Sequence, residues 1–172
     1  MKAIAVVLLL LAGCPAPQQQ PTRIQAPRPP TPLSIIEASP DLDGKLVGPS
    51  NARATVVVLM ASWCGHCRAR LADLAALREK HPFARVLGVN YKGHEEYDNR
   101  GNAAQLRAFI TEHVPWLRVV PAGEPLFDAL GRPGFVPAMW VYSARGELVQ
   151  FYDPHEPPTP DQIEALLVRL GA

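Results

Sequence analysis

The 172-residue chain is predicted to fold as one α/β domain, a mixed sheet with helices on both faces. Three observations predict it. Short, β-branched apolar runs alternate with amphipathic stretches from about residue 37; a hairpin signal and a terminal helix follow; and no internal repeat marks a second unit. A hydrophobic content of 48% is enough to fill one core. With 17 Lys+Arg against 16 Asp+Glu, the chain lacks the basic excess of a general nucleic-acid binder. No apolar run approaches the roughly 20 residues of a membrane span.

Thr55-Val-Val-Val-Leu-Met60 is continuously apolar and reads as a strand buried on both faces. From Arg68 to Lys80, Leu71, Leu74 and Ala75 share one helical face with Cys67, and His81-Pro82 ends that helix. Arg85 to Val89 is a second strand, followed by a polar loop from Asn90 to Asn102 and a helix with Leu106, Phe109 and Ile110 on its apolar face. His113 falls near that helix's end, where a cation meets the dipole favourably. Leu117 to Val120 reads as a short strand, and Pro125 to Leu130 as a short helix closed by Gly131. Ala138 to Tyr142 and Glu147 to Tyr152 are strands joined by a turn at Ser143-Ala-Arg-Gly146. The last helix has Thr159 as N-cap, Pro160 at its first position and Gln162 completing a capping box, with Ile163, Leu166, Leu167 and Leu170 on one face. Trp116, Trp140 and Phe151 are assigned to the core or to the underside of a loop.

Proline is the compositional anomaly, at 19 residues. Seven of the 18 residues from Pro15 to Pro32 are Pro, which removes backbone donors and predicts an extended, solvated segment. Before it, Lys2 and the apolar run Ala3–Leu11 have the layout of a signal peptide, too short to span a bilayer. The run ends in Leu11-Ala-Gly-Cys14, which resembles the bacterial lipobox; the resemblance implies cleavage before Cys14 and lipidation of its thiol. The expected organisation is therefore a signal peptide over 1–13, a Pro-rich tether over 14–36 and the folded domain over 37–172. Loss of residues 1–13 removes one cation, Lys2, and leaves 16 basic and 16 acidic residues. The domain is then expected in the cell envelope, on the periplasmic side, where disulfides persist.

Trp63-Cys64-Gly65-His66-Cys67 falls where the first strong strand hands over to its helix. Helix starts present unpaired N–H groups and a positive dipole end, which favour a thiolate at Cys64 and make it the nucleophile. Cys67 lies one turn deeper on the same side and can close a disulfide with Cys64 or resolve a mixed one. His66 adds a titratable group beside the thiolate. Structural zinc needs about four ligands, and no second Cys pair exists. Covalent haem attachment needs His after the second Cys, where this chain has Arg68. An inert pair of core thiols is the bland alternative.

The pentapeptide resembles the active site of thioredoxin-fold proteins. Asp41-Leu-Asp-Gly-Lys45 resembles the N-terminal β-hairpin extension of TlpA/ResA-type thiol–disulfide oxidoreductases, and Leu87-Gly-Val-Asn90 and Gly134-Phe-Val-Pro137 follow in that family's order. The resemblance spans about residues 37–170. It implies a thioredoxin-like fold, a cis Pro137 facing the Cys pair, and a backbone at Val136 that meets the substrate chain, with Trp63 and Gly65 beside it. It implies no cofactor beyond the redox-active disulfide Cys64–Cys67, no metal, and protein thiols or disulfides as substrates, with a membrane or periplasmic redox partner. A monomer is expected, and cytochrome c maturation is the setting the family suggests.

Two departures stand out. Many thioredoxins carry a buried acid six residues before the nucleophile, where this chain has Val58. Loops following parallel strands share one sheet edge, so Lys92, His94, Glu95 and His155 become candidates for base or substrate contact. The Gly65-His66 dipeptide matches protein disulfide isomerase instead of thioredoxin. Known potentials span roughly −270 to −120 mV, so the direction of exchange stays open between reductant and oxidant or isomerase. A second class of function, a metallochaperone for cytochrome or oxidase assembly using the Cys pair, is the alternative; the family's copper-binding relatives use a CxxxC spacing that is absent here.

Overall fold

The computed structural model describes residues 29–172. The signal segment 1–13, Cys14 and the greater part of the tether lie outside the described residues. Helix α1 (Pro32–Glu37) comes first, then β1 (Ala54–Leu59), α2 (Gly65–Lys80), β2 (Ala84–Tyr91), α3 (Lys92–Glu95) and α4 (Ala103–His113). Strand β3 (Arg118–Ala122), α5 (Glu124–Ala129), β4 (Ala138–Ser143), β5 (Leu148–Tyr152) and α6 (Pro160–Arg169) complete the chain.

The strands form a five-stranded sheet in the order β3-β2-β1-β4-β5. Strands β1, β2 and β3 run parallel, whereas β4 and β5 are antiparallel to their neighbours. The mixed sheet is thus the predicted one. Every residue of β1 is buried, as its unbroken apolar run requires. At mid-strand, Val57 is flanked by Leu87 of β2 and Trp140 of β4. Alternate residues feed two apolar layers. Val56 and Val58 pack with Leu71 and Leu74 of α2, Phe109 of α4 and Ile163 and Leu167 of α6. Val57 and Leu59 pack on the other face with α1, α5, Trp140 and Tyr142. Gly88 of β2 is required by closeness: an added Cβ would lie 2.8 Å from Val119 Cγ2 and 3.1 Å from Leu117 Cδ2.

Caps fix the helix ends. Thr159 and Gln162 make the predicted capping box at α6, and Asn102 accepts from Ala104 and Gln105 at the start of α4. Gly131, at φ 83°, closes α5, and Gly146, at φ 72°, completes the β4–β5 turn.

Three expectations need correction. The domain starts before residue 37: Thr31 caps α1, Pro32 occupies its first turn, and Leu33 and Ile36 are buried, so part of the proline-rich stretch is a packed helix. The N-terminal hairpin itself is short: an antiparallel bridge joins Pro40 to Leu46, with Asp41 N–H donating to Lys45 O at 2.9 Å and Val47 N–H to Ser39 O at 3.1 Å. There the Asp41 carboxylate accepts from the backbone of Asp43 and Lys45 and from Arg118, holding the turn. The stretch from Asn90 to Asn102 is not a plain loop, because β2 runs on to Tyr91, α3 follows and Tyr97–Asn99 forms a 3-10 turn. Phe151 sits on edge strand β5 and is only partly covered, by Trp140. Among the described residues no helix is long and apolar enough to cross a membrane.

Candidate active site

Strand β1 ends at Leu59, and six residues later, at Gly65, the chain enters α2. Cys64 is the N-cap of that helix, with extended backbone angles, and the Cys67 N–H donates to Cys64 Sγ at 3.0 Å. The side chain of the expected nucleophile thus satisfies one of the orphan donors of its own helix. Cys64 and Cys67 are joined by a disulfide, with their Cα atoms 5.2 Å apart. Exposure differs between them: Cys64 keeps 5% of its surface, whereas Cys67 is at 0% among Leu71, Leu74 and Met60.

Opposite the pair lies the segment before β4. The Val136–Pro137 peptide bond is cis, and the Val136 carbonyl oxygen is 3.7 Å from Cys64 Sγ. Phe135, the residue before Val136, is exposed and meets the His155 ring edge-on at 4.9 Å. The structure therefore brings together Cys64, Cys67 and Val136-Pro137, as expected, with His155 at the rim. Gly65 and His66 are exposed on the first turn of α2. A Cβ on Gly65 would meet nothing within 4 Å, so sterics do not demand glycine there.

Trp63 is half-buried. Its indole N–H donates to the carbonyl oxygens of His94 and Glu95, both at 3.0 Å, and the Arg100 guanidinium lies 5.2 Å from its ring centre. The four candidates from neighbouring loops separate clearly. Lys92 is a surface residue 3.7 Å from Glu96. His94 is half-buried, edge-on to Tyr91 and Phe127, which stack on each other. Burial pulls its imidazole below the ordinary value, against a weaker opposing pull from the backbone of Gly134. Glu95 is 2% exposed and points under the active-site turn. Val58, at the position of the absent acid, is fully buried in the sheet.

Three residues of this site escaped sequence reasoning: Ser62, Asn90 and Gly101. Ser62 donates through its N–H to Glu95 Oε2 at 2.9 Å and through its hydroxyl to Oε1. Asn90 Nδ2 donates to Met60 O at 3.0 Å and to Glu95 Oε2 at 2.8 Å. The one available signal was a polar Asn directly after the apolar run Val86–Val89 of β2. Among the described residues, no three His, Cys, Asp or Glu side chains converge as a metal-holding group; the Cys pair offers two ligands.

No protein-family model matches the sequence, and no curated protein matches it. Solved structures do. A secreted Mycobacterium tuberculosis disulfide oxidoreductase, described as homologous to Escherichia coli DsbE, is 17% identical, with TM-score 0.60 over 76% of this chain and 93% of that one. StoA from Bacillus subtilis is 18% identical, with TM-score 0.58 over 74% of this chain and 92% of its own. A thiol:disulfide interchange protein of the thioredoxin family from Chlorobium tepidum is 16% identical, with TM-score 0.63 over 86% of this chain and all of its own. At such identities the likeness establishes the fold. The chain is a thioredoxin-like domain, and its Cys-Gly-His-Cys disulfide caps the helix that follows the central strand.

Proposed function

We propose that the protein is a thiol–disulfide oxidoreductase of the cell envelope, tethered through Cys14, that exchanges disulfides with extracytoplasmic proteins. The observation that carries this reading is the Cys64–Cys67 disulfide at the N-terminus of α2, faced at 3.7 Å by the Val136 carbonyl. Two of the reported neighbours, a disulfide oxidoreductase and a thiol:disulfide interchange protein, support it.

In the reducing direction the Cys64 thiolate attacks one sulfur of a partner disulfide. A Cys64–partner bond forms, the partner S–S bond breaks, and the partner's other sulfur leaves as a thiolate that takes a proton from water. Cys67 then gives up its proton and attacks Cys64 Sγ, closing the intramolecular disulfide and releasing the second partner thiol. Two electrons pass from the Cys pair to the partner. The reverse sequence oxidises a partner dithiol. The Cys67 N–H, 3.0 Å from Cys64 Sγ, stabilises negative charge on that sulfur in either direction. The Val136 carbonyl, beside Cys64, is placed to accept a backbone N–H from the partner chain next to its reacting cysteine.

Equilibrating the purified domain with glutathione and glutathione disulfide tests this reading. Reversible two-electron conversion between dithiol and disulfide, lost in Cys64→Ser, is the expected result, and the midpoint reports the preferred direction. A pair that does not exchange with glutathione contradicts it.

A further inference from the structure

Glu95 is the buried charged residue closest in connectivity to the redox pair. A buried carboxylate is costly unless donors satisfy it. Here three do: Ser62 N–H at 2.9 Å, the Ser62 hydroxyl, and Asn90 Nδ2 at 2.8 Å. All three are neutral. The cations of the same loop are engaged elsewhere, Lys92 with Glu96 and Arg100 over Trp63 and beside Asp98. The Glu95 carboxylate is therefore held beneath the residue two before Cys64, and among the described residues no cation pairs with it. The same residue's carbonyl accepts from the Trp63 indole, so both residues preceding the nucleophile are tied to Glu95.

Gly101 supplies an independent observation. It is buried, its φ is not in the left-handed region, and an added Cβ would collide with the Glu95 carboxylate, lie 2.7 Å from the Glu95 carbonyl oxygen and 3.0 Å from Trp63 Cδ1. Glycine is needed here for space, and the space is filled by Glu95 and Trp63.

We propose that Glu95 is a positioning residue for the Cys64–Cys67 pair, pinning the Ser62–Trp63 turn and setting the poise of the couple through its uncompensated charge. The inference rests on the exchange activity proposed above and names a device that tunes it. When the pair is reduced, a thiolate gathers on Cys64; a like charge beneath the same turn disfavours it. Glu95 thus biases the couple toward the disulfide, making the reduced form the better donor. Removing the charge reverses that bias.

The experiment compares wild type, Glu95→Gln and Gly101→Ala for their equilibrium with glutathione, their rate of attack on glutathione disulfide, and their urea midpoint. Glu95→Gln is expected to shift the equilibrium toward the dithiol by about threefold to tenfold, ~14–30 mV at 29.6 mV per decade. Gly101→Ala keeps the charge but displaces the pin, and the attack is expected to slow by roughly tenfold, ~1.4 kcal/mol in the barrier. If Glu95→Gln leaves the equilibrium and Gly101→Ala leaves the rate within twofold of wild type while only urea midpoints fall, Glu95 is a structural pin and the proposal is wrong. Should Glu95→Gln fail to fold, the rate in Gly101→Ala decides alone. Should the wild type not exchange with glutathione at all, the proposed function fails. Glu95 is then judged by iodoacetamide alkylation of Cys64, expected several-fold faster in Glu95→Gln at neutral pH, and an unchanged rate overturns the tuning role.

Discussion

In the reduced protein, alkylation separates the two active-site cysteines by burial. Cys64 sits at the helix cap with 5% of its surface open, whereas Cys67 is at 0% in the layer that holds Leu71 and Leu74. A reagent reaches Cys67 only after the first turn of α2 opens. That opening breaks the 3.0 Å cap bond from the Cys67 N–H, about 1 kcal/mol. It also uncovers apolar surface on the scale of one core side chain, about 1.5–3 kcal/mol. The sum, ~3 kcal/mol, corresponds to a factor of roughly 100 in the population open to attack. Substoichiometric iodoacetamide at pH 8, followed by quench, digestion and mass spectrometry, should therefore place about 100 labels on Cys64 for each one on Cys67. Equal labelling, or Cys67 first, refutes the assignment of Cys64 as attacker and Cys67 as resolver.

Two further outcomes follow from the same structure. The Tyr142 hydroxyl is buried with no partner among the described residues, and burial pushes its ionisation upward. Tyr142→Phe should therefore stabilise the domain by about 1 kcal/mol, a melting point raised by ~3 °C; a loss of stability would show that the hydroxyl is satisfied. The lowered value of His94 gives a pH dependence whose sign is fixed. Below about 6.5 the unfolded chain takes a proton that the folded chain resists, so stability rises with pH across that window and is lost as pH falls from about 6.5 toward the folded value. Urea midpoints between pH 7.5 and 5 should fall less in His94→Gln than in wild type; parallel curves would contradict the burial argument.

Much of this was legible locally. The β-branched run of β1, the Thr159–Gln162 box of α6 and the glycine turns are all set by residues within a few positions of one another, which is the range over which propensity and capping act. The Cys pair was legible for the same reason, since strand, turn and helix start are contiguous. What escaped depends on distant partners. Helix α1 is six residues long, with Leu33, Ile35 and Ile36 apolar, too short a pattern to outweigh the prolines, and it is held by packing against a layer built from α5 and β4. Glu95 was named only as one of four candidates at the sheet edge, and its sequence neighbours do not show that it is buried. Its burial requires Ser62, 33 residues earlier, and the void at Gly101. Phe151 shows the opposite error: an apolar residue on an edge strand whose outer neighbour is solvent stays exposed however hydrophobic it is.

Trapping a partner on the protein tests the assignment of Cys64 as attacker and Cys67 as resolver. Reduced Cys67→Ser, mixed with a disulfide-bonded peptide, keeps the attacking sulfur at the α2 cap and loses the group that releases the partner. A stable one-to-one mixed disulfide, mapped to Cys64 by mass spectrometry and absent from Cys64→Ser, is the expected result. A Cys67→Ser protein that forms no adduct while its Cys64 remains open to alkylation would contradict it.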